Sequence, residues 1–208
     1  APAEPRARVT TYTYDAAERL TSASTALDLP GSPAGPLRRF EWDAASNLVG
    51  IAVGDSTRPL PANATNALAE GSYDASGNPL KLGASTFQWD GAHRLVEHDN
   101  GAVQSSFTYD GQGRIVRIVE RMGGAVVADR AYVWCGTVRC VERDNTLPGS
   151  PVTRRYFEQG VLDLRTEPKG QALYYAQDAL GSVRQLIDAQ GNIRARYDYE
   201  PFGQRSRT

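Results

Sequence analysis

The side chains in this sequence best suited to chemistry are Cys135 and Cys140, His93 and His98, and a series of aspartates that each follow an aromatic residue. Asp15, Asp43, Asp74, Asp90 and Asp110 could in principle supply a facing carboxylate pair for glycoside hydrolysis. Their spacing singles out no two of them. "DASGN" (74–78) and "DAQGN" (188–192) set oxygen-bearing side chains at alternate positions, as a calcium loop does. Each has one carboxylate and no closing glutamate, so both read as hairpin turns. His93 and His98 differ by an odd number and face opposite sides of a regular strand. Two cysteines with no histidine nearby make a poor zinc site. No Ser or Cys pairs with a His by sequence logic, so no nucleophile is assigned. Catalytic, metal and cofactor-binding residues are therefore expected to be absent. The cysteines, with four residues between them, read as a free pair by default and as a disulfide in the alternative. Asn63-Ala64-Thr65 is a formal glycosylation acceptor.

The elements that position these residues repeat. Aromatic-x-aromatic pairs occur at Tyr12/Tyr14, Phe40/Trp42, Phe87/Trp89, Phe107/Tyr109, Tyr132/Trp134 and Tyr197/Tyr199, and hold 12 of the 18 aromatic residues. Such concentration marks an internal repeat. Four copies continue alike, as "YDAAERL", "WDAASNL", "WDGAHRL" and "YDGQGRI". A fifth, "YDASGNPL", has Tyr73 without a partner ring and reads as carrying an extra Pro79 before Leu80. Starts at 14, 42, 73, 89 and 109 are unevenly spaced, so the unit is fixed and its connections vary.

Each part of the unit has a physical role. Side chains two apart on a strand share a face, so each pair makes a two-ring patch, and the intervening residue is polar in five of six pairs. The aspartate that follows can accept backbone N–H groups of a turn. Three residues later stand Glu18, Ser46, Gly77, His93 or Gly113, a slot whose glycines predict a left-handed backbone. The chain returns as a strand from an aliphatic residue. The unit is a β-hairpin. "TNALAEG" (65–71) could make one helical turn, and a short helix is expected around Asp178–Leu180. Pro/Gly-rich stretches at 27–36, 54–66 and 144–151 read as loops. No domain boundary emerges, so one continuous all-β array is expected.

Composition excludes several classes. Lys+Arg (23) nearly balances Asp+Glu (24), with no basic block for nucleic acid. No apolar run approaches the roughly 18 residues of a membrane helix. The first ten residues lack a signal peptide's apolar stretch and read as a cut inside a longer protein.

These units resemble the YD repeats of the rearrangement-hotspot (RHS) proteins, with their Tyr-Asp-x-x-Gly-Arg-Leu consensus. "YVWCGTVRCVERD" (132–144) resembles the family's Tyr-x-Trp-Asp-Gly-x-x-Leu-x-x-Glu segment, with Trp134 matched and Cys135 where Asp is usual. "YYAQDALGSVRQLIDAQGNIRARYDYEPFG" (174–203) is similar to the family's Tyr-Tyr-x-x-Asp-x-Leu-Gly-Ser segment and the Tyr-Asp-Tyr-Asp-Pro-Phe-Gly that follows. Residues 1–131 would then be repeat hairpins and 132–208 the core-associated C-terminal segment. The resemblance implies a curved sheet forming part of a shell that encloses a C-terminal toxin, secreted or injected by a bacterial secretion system. Its partners would be the rest of that shell and the toxin, or further copies joined through open strand edges. An adhesion or carbohydrate-recognition module is the alternative. Asp178 and Gly181 fall in this segment and read as a turn cap and an unusual backbone angle, with a binding or processing role as the alternative, while Tyr197, Tyr199, Pro201 and Gly203 end the wall.

Overall fold

A computed structural model describes residues 8–27, 35–165 and 169–207; the stretch read as a loop at 27–36 lies mostly outside them. The described residues contain nineteen β-strands and no helix. They divide into two compact units, with the boundary in the chain between Ser72 and Tyr73. The first holds a five-stranded sheet: β1 (Arg8–Tyr14), β2 (Leu20–Leu27), β3 (Arg38–Trp42), β4 (Leu48–Val53) and β5 (Ser56–Pro59).

The second sheet has fourteen strands. It opens with β6 (Ser72–Tyr73), β7 (Pro79–Leu82), β8 (Ser85–Trp89), β9 (Leu95–Asp99), β10 (Gln104–Tyr109), β11 (Ile115–Met122) and β12 (Ala125–Cys135). It continues through β13 (Val138–Asp144), β14 (Val152–Phe157), β15 (Gly160–Asp163), β16 (Gln171–Gln177), β17 (Val183–Asp188), β18 (Ile193–Tyr199) and β19 (Arg205–Arg207). In both sheets spatial order is chain order, so each strand pairs with its sequence neighbours.

The expected single sheet is thus two. β5 ends on Pro59 and Pro61 follows it, two residues with no amide hydrogen to extend a ladder. The stretch 54–66 is not a plain loop either. β5 pairs with β4, and Ala62 bridges to Leu68 around a further turn.

Strand pairing puts the rings on one face. In five of the six pairs the second aromatic sits at a register shift, between Thr13/Tyr14, Glu41/Trp42, Gln88/Trp89, Thr108/Tyr109 and Val133/Trp134. A bulge re-aims a side chain. The buried apolar residues are only Ala23, Phe40, Ala52, Tyr132, Val161 and Ala195, and no large side chain is fully buried among the described residues. Each sheet covers itself through contacts along its face.

Candidate functional site

The repeated turn is the site most fully built by this sequence. At Asp15, Asp43, Asp74, Asp90, Asp110, Asp178 and Asp188 the aspartate amide donates to the carbonyl four residues on, and the amide three residues on donates to the aspartate carbonyl. The carboxylate closes the turn from within: Asp110 Oδ1 accepts the amides of Gln112 (2.9 Å) and Arg114 (3.0 Å), and Asp178 Oδ1 those of Leu180 and Ser182. The slot three residues after the aspartate is left-handed at Glu18, Ser46, His93, Gly77, Gly113 and Gly181. The helix expected near Asp178 is absent because its amides are taken by this carboxylate.

The residue four after the aspartate was not singled out from the sequence, yet it completes the clamp. Arg19, Arg94 and Arg114 donate Nε to Asp15, Asp90 and Asp110 at 2.7–2.8 Å. Asn47 and Asn78 do so with Nδ2 to Asp43 and Asp74. The Asn78 Nδ2 group also lies 2.9 Å from His93 Nδ1 of the next turn, so His93 and His98 part as expected: His98 stacks on Phe87 at 5.0 Å.

These donors hold the carboxyls below their usual range. Backbone and side-chain bonds from Arg19 do so at Asp15, and the side chain of Arg94 leads at Asp90. At Asp188 burial pushes the other way, and the backbone and side chain of Asn192 outweigh it.

The clamp also reaches the next hairpin. Arg19 Nη1 donates to Asp43 O at 2.9 Å and its guanidinium lies over Trp42; Arg94 lies over Tyr109, Arg114 over Trp134 and Arg184 over Tyr199. From the second pair on, the second ring then donates to the carbonyl of the preceding hairpin's return residue. Trp42 Nε1 reaches Leu20 O (2.8 Å), Tyr109 OH reaches Leu95 O (2.7 Å), Trp134 Nε1 reaches Ile115 O (2.9 Å) and Tyr199 OH reaches Val183 O (2.9 Å). Trp89 Nε1 donates to Pro79 O at 2.7 Å. Pro79 is therefore no insertion; it fills the aliphatic slot itself.

Two turns were misread in the sequence. Asn63 makes the same closure with its amide oxygen, accepting from Thr65 and Ala67, with Asn66 left-handed at φ 59°. "NATNAL" is a degenerate copy of the unit, where a helical turn was expected. Pro201 does not end the sheet. Glu200 N donates to Gln204 O and Gly203 N to Glu200 O, and β19 returns along β18. Pro201 stands at the turn position whose N–H has no bond to make in the other copies, with its φ already set.

In 132–165 carboxylates are clamped across strands instead. Glu142, 5% exposed, accepts from Thr153 (3.1 Å), Arg154 (2.8 Å) and Tyr156 OH (2.7 Å). Arg154 continues to Asp163 at 3.6 Å, and Arg165 pairs with Asp163 at 2.5 Å. Arg165 holds the Asp163 carboxyl down to about 2. Burial, then the bond to Glu142, pushes Tyr156 up to about 12. Cys135 and Cys140, read by default as free, are joined in a disulfide across the β12–β13 turn, because the two strands bring them together there. No group of three His, Cys, Asp or Glu side chains able to hold a metal occurs among the described residues.

No protein-family model and no curated protein matches the chain. Solved structures do. A chain of a Photorhabdus luminescens Tc holotoxin pore carrying a TccC3 mutation superposes with a TM-score of 0.70 at 17% identity, over 94% of this chain and 12% of that one. TcdB2-TccC3, and the same assembly without its hypervariable C-terminal region, give 0.68 at the same identity and coverage. At this identity the likeness shows the fold, and this chain spans about one eighth of the length of those chains.

Proposed function

We propose that this chain is a non-catalytic stretch of wall from an RHS-type toxin or effector, and that the complete wall encloses a C-terminal toxin. The observation that carries this reading is the arginine–aromatic ladder. Arg19, Arg94, Arg114 and Arg184 reach forward to a ring of the next hairpin, and those rings reach back to a carbonyl of the hairpin before, so neighbours hold each other as a wall of indefinite length requires. The resemblance of the sequence to RHS repeats and the fold shared with Tc toxin chains support it. No step of catalysis has a candidate among the described residues, since the repeat carboxylates are occupied by turn amides and by arginine or asparagine side chains.

The test is limited proteolysis of the longer protein that contains this stretch. The downstream domain is expected to resist protease while the wall is intact and to be cut once Glu142→Ala loosens it. Equal cutting in both forms would overturn the enclosure.

The adhesion reading has one observation in its favour. Phe157 (55% exposed) and Tyr174 (51%) are both register partners of Gly160, on the face opposite Tyr156 and the ladder. Open rings of this kind stack on sugars. Binding to a glycan array that Phe157→Ala and Tyr174→Ala abolish would favour it, and an array with no binding would sink it.

A further inference from the structure

We propose that the Cys135–Cys140 disulfide is a redox-sensitive latch, standing in for the aspartate clamp in a hairpin that lacks one. After the second ring of a pair, the turn opens with Asp15, Asp43, Asp90 or Asp110 in the repeat hairpins. After Trp134 it opens with Cys135, which is exposed and bonded to half-buried Cys140. The turn there is shorter, Cys135 pairing with Val138, and no carboxylate lies at its tip. Arg139 stands four residues after Cys135, as Arg114 does after Asp110. It has no carboxylate partner among the described residues and rests instead on the rings of Tyr132 (4.3 Å), Tyr156 (5.7 Å) and Trp134 (5.8 Å). At the tip, the covalent bond holds the two strands where the other hairpins use a carboxylate.

A second observation gives that tip a reach beyond itself. Arg114 of the preceding hairpin donates Nη1 to Gly136 O at 2.5 Å, inside the loop that the disulfide closes, and lies over Trp134. In the aspartate hairpins the equivalent acceptor is the carbonyl of the clamped aspartate, Asp43 O for Arg19 and Asp110 O for Arg94. Freeing the tip therefore frees the seam between β10–β11 and β12–β13.

The chemistry needs a thiol reductant. A thiolate of a dithiol attacks the accessible sulfur of Cys135, forming a mixed disulfide and expelling the Cys140 thiolate, which takes a proton from water. The second thiol of the reductant then displaces Cys135 and closes its own disulfide. Two electrons pass to the protein, leaving two cysteine thiols. The aspartate-clamped hairpins carry no cysteine and do not respond. The latch stands whether or not the wall encloses a toxin; if it does, this seam sets in oxidising surroundings and loosens in reducing ones.

The test is amide hydrogen exchange on the chain, oxidised and in dithiothreitol. Reduction is expected to speed exchange at least about tenfold in peptides covering 132–142 and at the facing 114–118, and to leave 87–98 within about twofold. Cys135→Ser/Cys140→Ser is expected to exchange like the reduced protein with or without dithiothreitol. Should that variant fail to fold, the comparison of oxidised and reduced native chain decides alone. Equal protection in the two states overturns the latch. So does a uniform rise that includes 87–98, which would make the bond a global staple, or free thiols at both positions after oxidation.

Discussion

At the scale of single residues, this protein handles charge by occupying it. Asp163, held at about 2 by Arg165, and Tyr156, held at about 12 by burial, set two limits on stability. A depressed carboxyl adds stability that is present above the unfolded value, near 4, and is lost as pH falls from there toward about 2. A raised phenol adds stability that is present below its unfolded value of about 10 and is lost as pH rises from there toward about 12. Thermal melting across pH should therefore show a plateau between these limits, with the acid shoulder removed by Asp163→Asn and the alkaline one by Tyr156→Phe. Glu18 tests a different term. It holds φ 61° in the slot that Gly77 and Gly113 fill in two other copies. Glu18→Gly is expected to stabilise by up to about 1 kcal/mol in urea denaturation, since glycine meets no steric penalty there. The left-handed slot was legible in the sequence from Gly77 and Gly113 alone.

At the scale of elements, the hairpin was readable because a two-residue period followed by Asp-x-x-Gly admits few other conformations. Its degenerate copies were not. Asn63 and Asn66 replace the aspartate and glycine without changing the turn, since an amide oxygen accepts the same N–H groups and asparagine tolerates a left-handed backbone. Asn63→Ala is expected to cost about 1 kcal/mol, and Asn63→Asp much less, by chemical denaturation. Gly160 shows a constraint that no pattern reveals. A Cβ there would lie 2.2 Å from Leu173 O, so the backbones of β15 and β16 meet where a side chain would stand. Gly160→Ala is expected to destabilise by about 1–3 kcal/mol through forced separation of those strands, seen as a lower urea midpoint.

At the scale of the whole molecule, the sheet behaves as a chain of neighbours. Strand order follows chain order throughout, and nearly every side-chain bond described joins adjacent or next-adjacent strands. Damage should therefore stay local. Glu142→Ala leaves Arg154 only its longer pair with Asp163 and removes the acceptor of the Tyr156 hydroxyl, which is expected to cost about 3 kcal/mol. Hydrogen exchange should rise steeply in β12–β15 and little in β7–β9; a uniform rise would show that the sheet unfolds as one unit instead.

The sequence by itself determined the repeat unit, its all-β character, the face that carries the rings and the left-handed turn slot. All of these follow from residue types at fixed short spacing, where backbone sterics and local hydrogen bonds decide the outcome. Only the tertiary structure decided what joins one unit to the next. The arginine that spans two hairpins, the ring that finds a carbonyl 10–22 residues away, the partners of Glu142 and the disulfide all depend on which strands lie side by side. It likewise decided that Pro201 turns the chain and that the sheet breaks before Ser72. Both depend on whether a neighbouring strand is there to pair, and a proline reads the same in sequence whether or not one is.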